Sequence, residues 1–384
     1  YQLTKSTVLR AGYGIFYYTN SQIYFGNLPV TNPPFYQTTD VPTSSDAATS
    51  NLIVRTGFPP GTLRPDVLTG LTLFNAWPYD FPDPLVHQWN FNVQRALPGS
   101  TVLSLAYVGS NTIHRRAGVG NNSQDLNQPK PGPGALPARR TFPELSAINT
   151  DPPLGGSNYQ GLEVKFERQF KNGLATLNGY TWSHSMMTGV GQNTRELERE
   201  KSLSSEDVRH RLFSTVIWDL PFGKGKKWVS AGPASRIIGG WQLSTLLTAQ
   251  SGLLFTPTMG ANSANTTGAN RPDRIGAGSL SKDQRTWQMW FDKTAFRVPS
   301  PYVFGNAGAY LLAGPGLVNL DTTIARVFPL SDRVRLDFRS EFFNMLNHVN
   351  FGMPNALIDN RVGGAISSAA VAARQIQFAV KLVF

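Results

Sequence analysis

The sequence predicts an all-β fold: an antiparallel, up-and-down transmembrane β-barrel segment of about ten strands, with long extracellular loops. Three observations predict it. Apolar residues recur at every second position over stretches long enough to cross a membrane at a tilt. Long and short connections alternate along the chain, as in barrels with short periplasmic turns and long outer loops. No run of 18 apolar residues exists, so no helix would cross the bilayer.

The clearest strand is 334–342. Val334, Leu336, Phe338, Ser340 and Phe342 point one way, and Arg335, Asp337, Arg339 and Glu341 the other. A helix would scatter these charges around its circumference, whereas a strand sorts them onto one face. The same sorting occurs at 9–17 (Leu9, Ala11, Tyr13, Ile15 and Tyr17 against Arg10, Gly12 and Gly14) and at 87–95 (Trp89, Phe91 and Val93 against Gln88, Asn90, Asn92 and Gln94). It recurs at 160–167, where Leu162, Val164 and Phe166 oppose Glu163, Lys165 and Glu167, and at 241–250. Weaker versions lie at 101–109, 174–183, 211–220 and 318–327, and the last strand is 374–384.

Segments 19–86, 111–157, 185–208, 258–316 and 344–373 read as long loops. Short links are Leu97-Pro98-Gly99-Ser100, Lys171-Asn172-Gly173 and Pro329-Leu330-Ser331-Asp332. The link 222–240 is of medium length and rich in Gly and Lys; within it Gly223-Lys224-Gly225-Lys226-Lys227 reads as a basic inter-strand turn, and 192–206 reads as a short helix within its loop. A soluble antiparallel protein is the alternative architecture. Its strands would be shorter, near five or six residues, and its connections need not alternate.

Composition narrows the function classes. Of 384 residues, 15% are charged, below the roughly 25% usual for soluble domains, and 40% are hydrophobic. Gly (36) and Pro (27) are abundant enough to fill many turns, and the absence of cysteine excludes disulfides, thiolate zinc sites and a cysteine nucleophile. The net charge of +11 suits an anionic partner such as lipopolysaccharide. No Lys/Arg tract interleaves with aromatics, which argues against nucleic acid. The beginning, Tyr1-Gln2-Leu3-Thr4-Lys5, is neither a start methionine nor a signal peptide, so the chain is expected to be part of a longer protein.

No catalytic, metal or cofactor site is predicted. The histidines His87, His114, His184, His210 and His348 lack metal-ligand spacing, and Ser183-His184-Ser185 lacks a nucleophile elbow. Glu196, Glu198 and Glu200, among Arg195, Arg199 and Lys201, read as a solvated face. Arg335, Asp337, Arg339 and Glu341, with Glu163, Lys165 and Glu167, are expected to face a lumen. Tyr17, Trp89, Tyr107, Tyr180, Trp182, Trp218 and Trp241 are expected at the membrane interfaces, where amphipathic rings sit well.

Several pieces carry a resemblance. The run Glu341-Phe342-Phe343-Asn344-Met345-Leu346-Asn347-His348-Val349-Asn350-Phe351-Gly352 resembles a segment of TonB-dependent outer-membrane receptors, above all the Oar-like subgroup. Tyr180-Thr181-Trp182-Ser183, Asp219-Leu220-Pro221-Phe222-Gly223-Lys224-Gly225, Gly239-Gly240-Trp241-Gln242 and Phe304-Gly305-Asn306-Ala307-Gly308 fit in the same order. The resemblance implies a 22-stranded barrel with an N-terminal plug and a TonB-contacting segment before it; this chain would be the C-terminal part of that barrel, without plug or signal peptide. It also implies outer-membrane lipid, the TonB complex (through the plug), the barrel-assembly machinery and an unknown small ligand as partners. Ile376, Phe378, Val380, Leu382 and the terminal Phe384 fit the aromatic-ended last strand that the assembly machinery reads. An outer-membrane adhesin is the second reading, and a secreted β-rich carbohydrate-binding or carbohydrate-active protein the third.

Overall fold

The structure, a computed structural model, describes residues 1–18, 82–116, 124–150, 152–188 and 191–384, with scattered positions between 32 and 80. Most of the 19–86 loop and part of the 111–157 loop therefore lie outside the described residues. Ten long strands form one antiparallel sheet: β1 (Thr7–Tyr17), β2 (Leu85–Leu97), β3 (Thr101–Arg115), β4 (Gly155–Lys171), β5 (Leu174–Thr188), β6 (His210–Asp219), β7 (Trp241–Gln250), β8 (Leu317–Pro329), β9 (Arg335–Phe343) and β10 (Gln375–Val383). Each pairs with the next in the chain. A short strand Gln2–Thr4 pairs with the free side of β1 and Lys201–Leu203 extends β5, giving 12 strands in all. Among the described residues the path ends at Gln2–Thr4 on one side and at β10 on the other, so the sheet they form is an open arc.

Register carries the alternation of each strand across the whole sheet. The β9–β10 pairing sets Leu336 opposite Leu382, Phe338 opposite Val380 and Phe342 opposite Ile376. The same face continues through Phe328, Ile324 and Leu320 of β8, Leu243 and Leu247 of β7, and Leu212 and Val216 of β6. It reaches Val164 and Leu162, then Leu105, Phe91, Val93 and Leu9. A one-residue slip anywhere would send the apolar set to the other side.

A soluble sandwich would bury this face. Here it is bare: Phe378 is 68% exposed, Tyr13 65% and Val380 63%. The buried hydrophobic cluster lies elsewhere, within the connection between β7 and β8, where Phe255, Phe291, Ala295, Phe296, Ala307 and Leu312 pack together. A continuous exposed apolar face on a strand-crossed sheet has lipid as its natural solvent.

Five of the ten strands, β2 to β5 and β8, outrun the expected nine to eleven residues, up to 17 in β4. The apolar face explains the excess. It turns polar at Gln160 and His184, and β4 and β5 remain paired beyond that level, to Ser157 and Met187. Apolar and polar residues are mixed on both faces there, Met186 opposite Asn158 and Tyr159 opposite Ser185, so alternation of hydrophobicity no longer marks the strand. The turn Asn172-Gly173 is a two-residue link with φ of 54° and 77°, which fits the hairpin geometry that Asn-Gly favours. Gly109 admits a different close approach. The Trp89 indole lies over it from the neighbouring strand, and a Cβ there would meet ring atoms at 2.4 Å.

One local expectation is corrected and another extended. The 192–206 segment is not a helix of that length; it holds a single 3-10 turn, Leu197–Glu200, and then Lys201–Leu203 joins the sheet. In the 222–240 link the Gly223–Lys227 turn is present, between the bridged Phe222 and Trp228, and it is followed by a helix, α1 (Pro233–Ile238), opened by a proline in its first turn.

The Asn-rich run after β9 has a structural explanation. Asn344 and Asn347 adopt φ of 49° and 51°, conformations that asparagine tolerates better than most residues. Asn344 is 2% exposed; its amide donates to the carbonyls of His348 and Ala372, each at 3.0 Å. Asn350, 1% exposed, accepts from Val318 N at 2.7 Å and donates to Val318 O at 3.0 Å, doing for the start of β8 what a further strand would do.

Candidate functional site: the loop assembly and the two faces of the sheet

Connections β3–β4, β5–β6 and β7–β8 emerge at the same end of the sheet and lock together. Asp125 begins the lock. Its Oδ1 accepts from Asn127 N at 2.9 Å and Ile148 N at 3.0 Å, and its Oδ2 accepts from Thr267 Oγ1 at 3.0 Å and Arg140 Nη1 at 3.2 Å. Gln128 bridges all three connections. Its amide nitrogen donates to Gln192 O at 2.8 Å and Thr267 O at 2.6 Å, and its oxygen accepts from Thr194 N at 3.1 Å. Arg195 donates to the Gln128 carbonyl, and Thr266 Oγ1 to Pro129 O at 2.5 Å. Leaving a buried polar group without a hydrogen bond is costly, so these bonds fix where each loop goes.

Beside this lock lies a cavity of 490 Å³ lined by Gln192, Asn193, Glu196, Arg199, Glu200, Arg271 and the 302–308 segment. Its floor is an ion pair. Arg271 Nη2 sits 2.6 Å from both carboxylate oxygens of Glu200, and the two side chains are only 6% and 3% exposed. Gln192 N donates to Glu200 Oε1 at 3.3 Å, and the Gln192 side chain donates to Gly305 O. The upper wall carries Tyr302, at φ 65°, a left-handed conformation uncommon for a bulky residue. Glu196 and Arg199 pair at 2.9 Å on the open side. Cation and anion are thus balanced in each pair, so the cavity suits a polar ligand presenting both donors and acceptors.

This arrangement corrects the expectation that Glu196, Glu198 and Glu200 form a solvated face. Glu200 is buried against Arg271, whose position 71 residues away left no local signal. The side chain of Glu198 lies outside the described residues. Ser183 and His184 are consecutive in β5 and so point to opposite faces; Ser183 Oγ donates to Val208 O at 3.0 Å, and His184 Nδ1 lies 3.6 Å from Asp207.

The sheet places the other predicted residues on its two faces. Arg335, Asp337, Arg339 and Glu341 share the polar face with Gln377, Ala379 and Lys381 of β10. Arg335 pairs with Asp337 and Arg339 with Glu341, each at 3.3 Å, and Lys165 pairs with Glu167 at 2.8 Å. Glu163 lies between Ala106 and Thr181 on that same face. Exposed pairs of this kind contribute about 0–1 kcal/mol, so they shape charge more than stability.

Tyr17, Trp89, Tyr107, Tyr180, Trp182, Trp218 and Trp241 all lie on the apolar face. Tyr107 donates to Gln160, and the Tyr180 hydroxyl lies 2.9 Å from His210 Nδ1. Tyr13 and His87, which are not among the aromatics expected at the interfaces, make the same kind of contact at 2.6 Å. These hydroxyls meet their partners where the face turns polar. Trp218 and Trp241 flank the 220–240 connection at the opposite end. Ile376, Phe378, Val380 and Leu382 occupy the apolar face of the edge strand β10, and Phe384 follows its last residue, 94% exposed.

Solved structures similar to this chain include the outer membrane transporter YddB from Escherichia coli, at 10% identity and a TM-score of 0.48, covering 99% of this chain and 38% of that one. FpvA from P. aeruginosa, bound to heterologous pyoverdines, matches at 9% identity and 0.43, with 100% and 31% covered. BauA, the ferric preacinetobactin receptor from Acinetobacter baumannii, matches at 12% and 0.39, with 79% and 30% covered. The chain spans about a third of the length of these proteins. No curated protein matches. The family described as outer membrane beta barrel domain matches residues 1–377. An open arc of tilted-length strands, a bare apolar face and that match agree: the chain belongs to the outer membrane beta barrel domain family, and its place is the Gram-negative outer membrane.

Proposed function

We propose that the chain is the C-terminal part of the barrel of a TonB-dependent transporter of the Oar-like kind, which takes up a scarce nutrient. The observation that carries this reading is the open arc. Among the described residues ten long strands run in sequence without the first meeting the last, and each edge has no neighbouring strand, an arrangement that a membrane would penalise heavily. Further strands closing the arc would make a barrel wide enough for a lumen rather than a packed interior. The polar face, with Arg335, Asp337, Arg339, Glu341, Glu163, Lys165 and Glu167, would line that lumen and meet a plug. The ordered series of receptor-like segments along the sequence supports the same assignment.

In this reading the aromatic residues form girdles at the two headgroup levels. The β10 residues Ile376, Phe378, Val380 and Leu382, with Phe384, are read by the barrel-assembly machinery. The outer leaflet contacts are lipopolysaccharide, and the loop cavity takes part in ligand capture. TonB acts through the plug, and the barrel performs no covalent chemistry.

The test is accumulation of labelled iron chelates, oligosaccharides and cobalamins by cells carrying the full-length protein, against cells lacking it. One class should accumulate, and a proton uncoupler or loss of TonB should abolish it. Accumulation that survives both treatments would indicate a passive pore. No accumulation of any class, with cell adhesion lost on deletion, would favour the adhesin.

A further inference from the structure

The connection between β6 and β7 sits at the short-turn end, which up-and-down barrels place in the periplasm. Its neighbours there, at 98–100, 172–173 and 330–334, are plain turns. This one is a folded element. Phe222 and Trp228 pack ring against ring at 5.5 Å, Trp228 N donates to Pro221 O at 3.0 Å, and α1 follows.

The element is fastened to the apolar face. Trp241 Nε1 donates to Ile237 O at 3.1 Å. Arg326, opposite Trp241 in the register, lies 5.5 Å from that ring and 4.3 Å from the Phe328 ring. Its guanidinium donates to the carbonyls of Arg236 and Ile237 at the end of α1. The helix is thereby held on the lipid side of the sheet rather than under the lumen.

Its chemistry is two-sided. Trp228, Val229, Ile237 and Ile238 are exposed, Ile237 by 70%. Lys224, Lys226, Lys227 and Arg236 are the charges of segment 220–240, which contains no Asp or Glu. Among the described residues none of the four forms an ion pair, and only Lys227 has a ring contact, 5.5 Å from Trp228. Exposed apolar side chains beside unneutralised cations, at headgroup depth, suit a surface that carries both acyl chain and phosphate.

We propose that residues 222–240 form a lipid-docking element that recognises anionic phospholipid headgroups in the periplasmic leaflet. Trp228, Ile237 and Ile238 enter the acyl boundary, and the four cations meet phosphates. Arg326 acts as a positioning residue, through the α1 carbonyls. The proposal rests on membrane location and not on transport.

The test uses the full-length protein in vesicles of phosphatidylcholine containing dibrominated phosphatidylglycerol or dibrominated phosphatidylcholine. The fluorescence difference between the protein and its Trp228→Phe variant isolates Trp228. Brominated phosphatidylglycerol should quench Trp228 at about fivefold lower mole fraction than the choline lipid. The preference should fall below about twofold in K224Q/K226Q/K227Q/R236Q and at high salt. If the quadruple variant does not assemble, Lys226→Gln and Arg236→Gln singly should each reduce the preference. Equal quenching by the two lipids, or a preference unchanged in these variants, overturns the proposal. Its abolition by millimolar inorganic phosphate would assign the cations to free phosphate and overturn it equally.

Discussion

Replacing Glu200 with Ala tests whether the buried ion pair holds the loop assembly. The change strands the Arg271 guanidinium in a site where its side chain is 6% exposed and its Nε already has no partner. Breaking a buried pair by removing one member costs about 3–5 kcal/mol, because the remaining charge is left uncompensated. The Gln192 N–H loses its acceptor as well. The loss falls on local opening of the loops and of the short Lys201–Leu203 strand that follows Glu200, since neither partner lies in one of the ten long strands. At about 1.4 kcal/mol per decade, 3 kcal/mol is about two orders of magnitude in amide protection. Hydrogen exchange in the full-length protein should therefore accelerate about a hundredfold at Thr194 and Ala307, whose amides donate to Gln128 Oε1 and Pro272 O. Arg199→Ala, which breaks the exposed pair with Glu196, should change the same amides less than about twofold. The double variant E200L/R271M removes both charges and should return to within about 1–2 kcal/mol of the parent. Protection in E200A within about 0.5 kcal/mol of the parent, or a double variant costing the sum of its singles, would refute the reasoning.

Three further outcomes follow from the geometry. Val380→Arg should destabilise the barrel in lipid by about 2–4 kcal/mol, whereas Gln377→Arg, on the polar face beside Glu341, should change it by less than about 1 kcal/mol; urea unfolding in vesicles compares them. Asn350→Ala should cost about 1–3 kcal/mol by leaving the backbone groups of Val318 unpaired, visible as faster exchange at Val318. Asp359 ties the β9–β10 connection to the β7–β8 connection by accepting from Gly260 N at 2.9 Å and Ala261 N at 2.8 Å. Partial burial pushes its pKa up, but the backbone N–H donors outweigh this and hold it below the ordinary value. Its contribution is therefore present above about pH 4 and lost as the pH falls through the depressed folded value. Exchange at Gly260 and Ala261, corrected for intrinsic rate, should stay flat from pH 7 to 5 and rise below about 4. Asp359→Asn should remove that dependence, and a rise already complete at pH 5 would contradict it.

The strands were legible because lipid on one side and water on the other leave a period of two. All ten stretches of alternation correspond to strands, and 241–250 coincides with Trp241–Gln250. The ends of β4 and β5 were not legible. Past Gln160 and His184 each face mixes apolar and polar residues, so the contrast that marks a strand disappears while the hydrogen-bond ladder continues. The faces on which the predicted charges and aromatics lie follow directly from strand parity. The loop lock does not. Asp125, Gln128, Glu200 and Arg271 are ordinary polar residues in Gly- and Pro-rich stretches, brought together over separations of 64 to 142 residues. The α1 element was hidden in another way. Its six residues are too few to show a helical period, and its attachment depends on Arg326, distant in sequence.

The bridging by Gln128 makes the three connections a single inheritable part. Its one amide fixes a carbonyl on the β5–β6 connection, a carbonyl on the β7–β8 connection and the Thr194 N–H. A loop exchanged alone would leave buried polar groups in the two that remain. Variation in what this end of the barrel recognises is therefore expected to arise by side-chain change around the cavity or by replacement of all three loops together. A binder engineered on this scaffold would treat the trio as one cassette, with Asp125, Gln128 and Glu200 as its fixed joints.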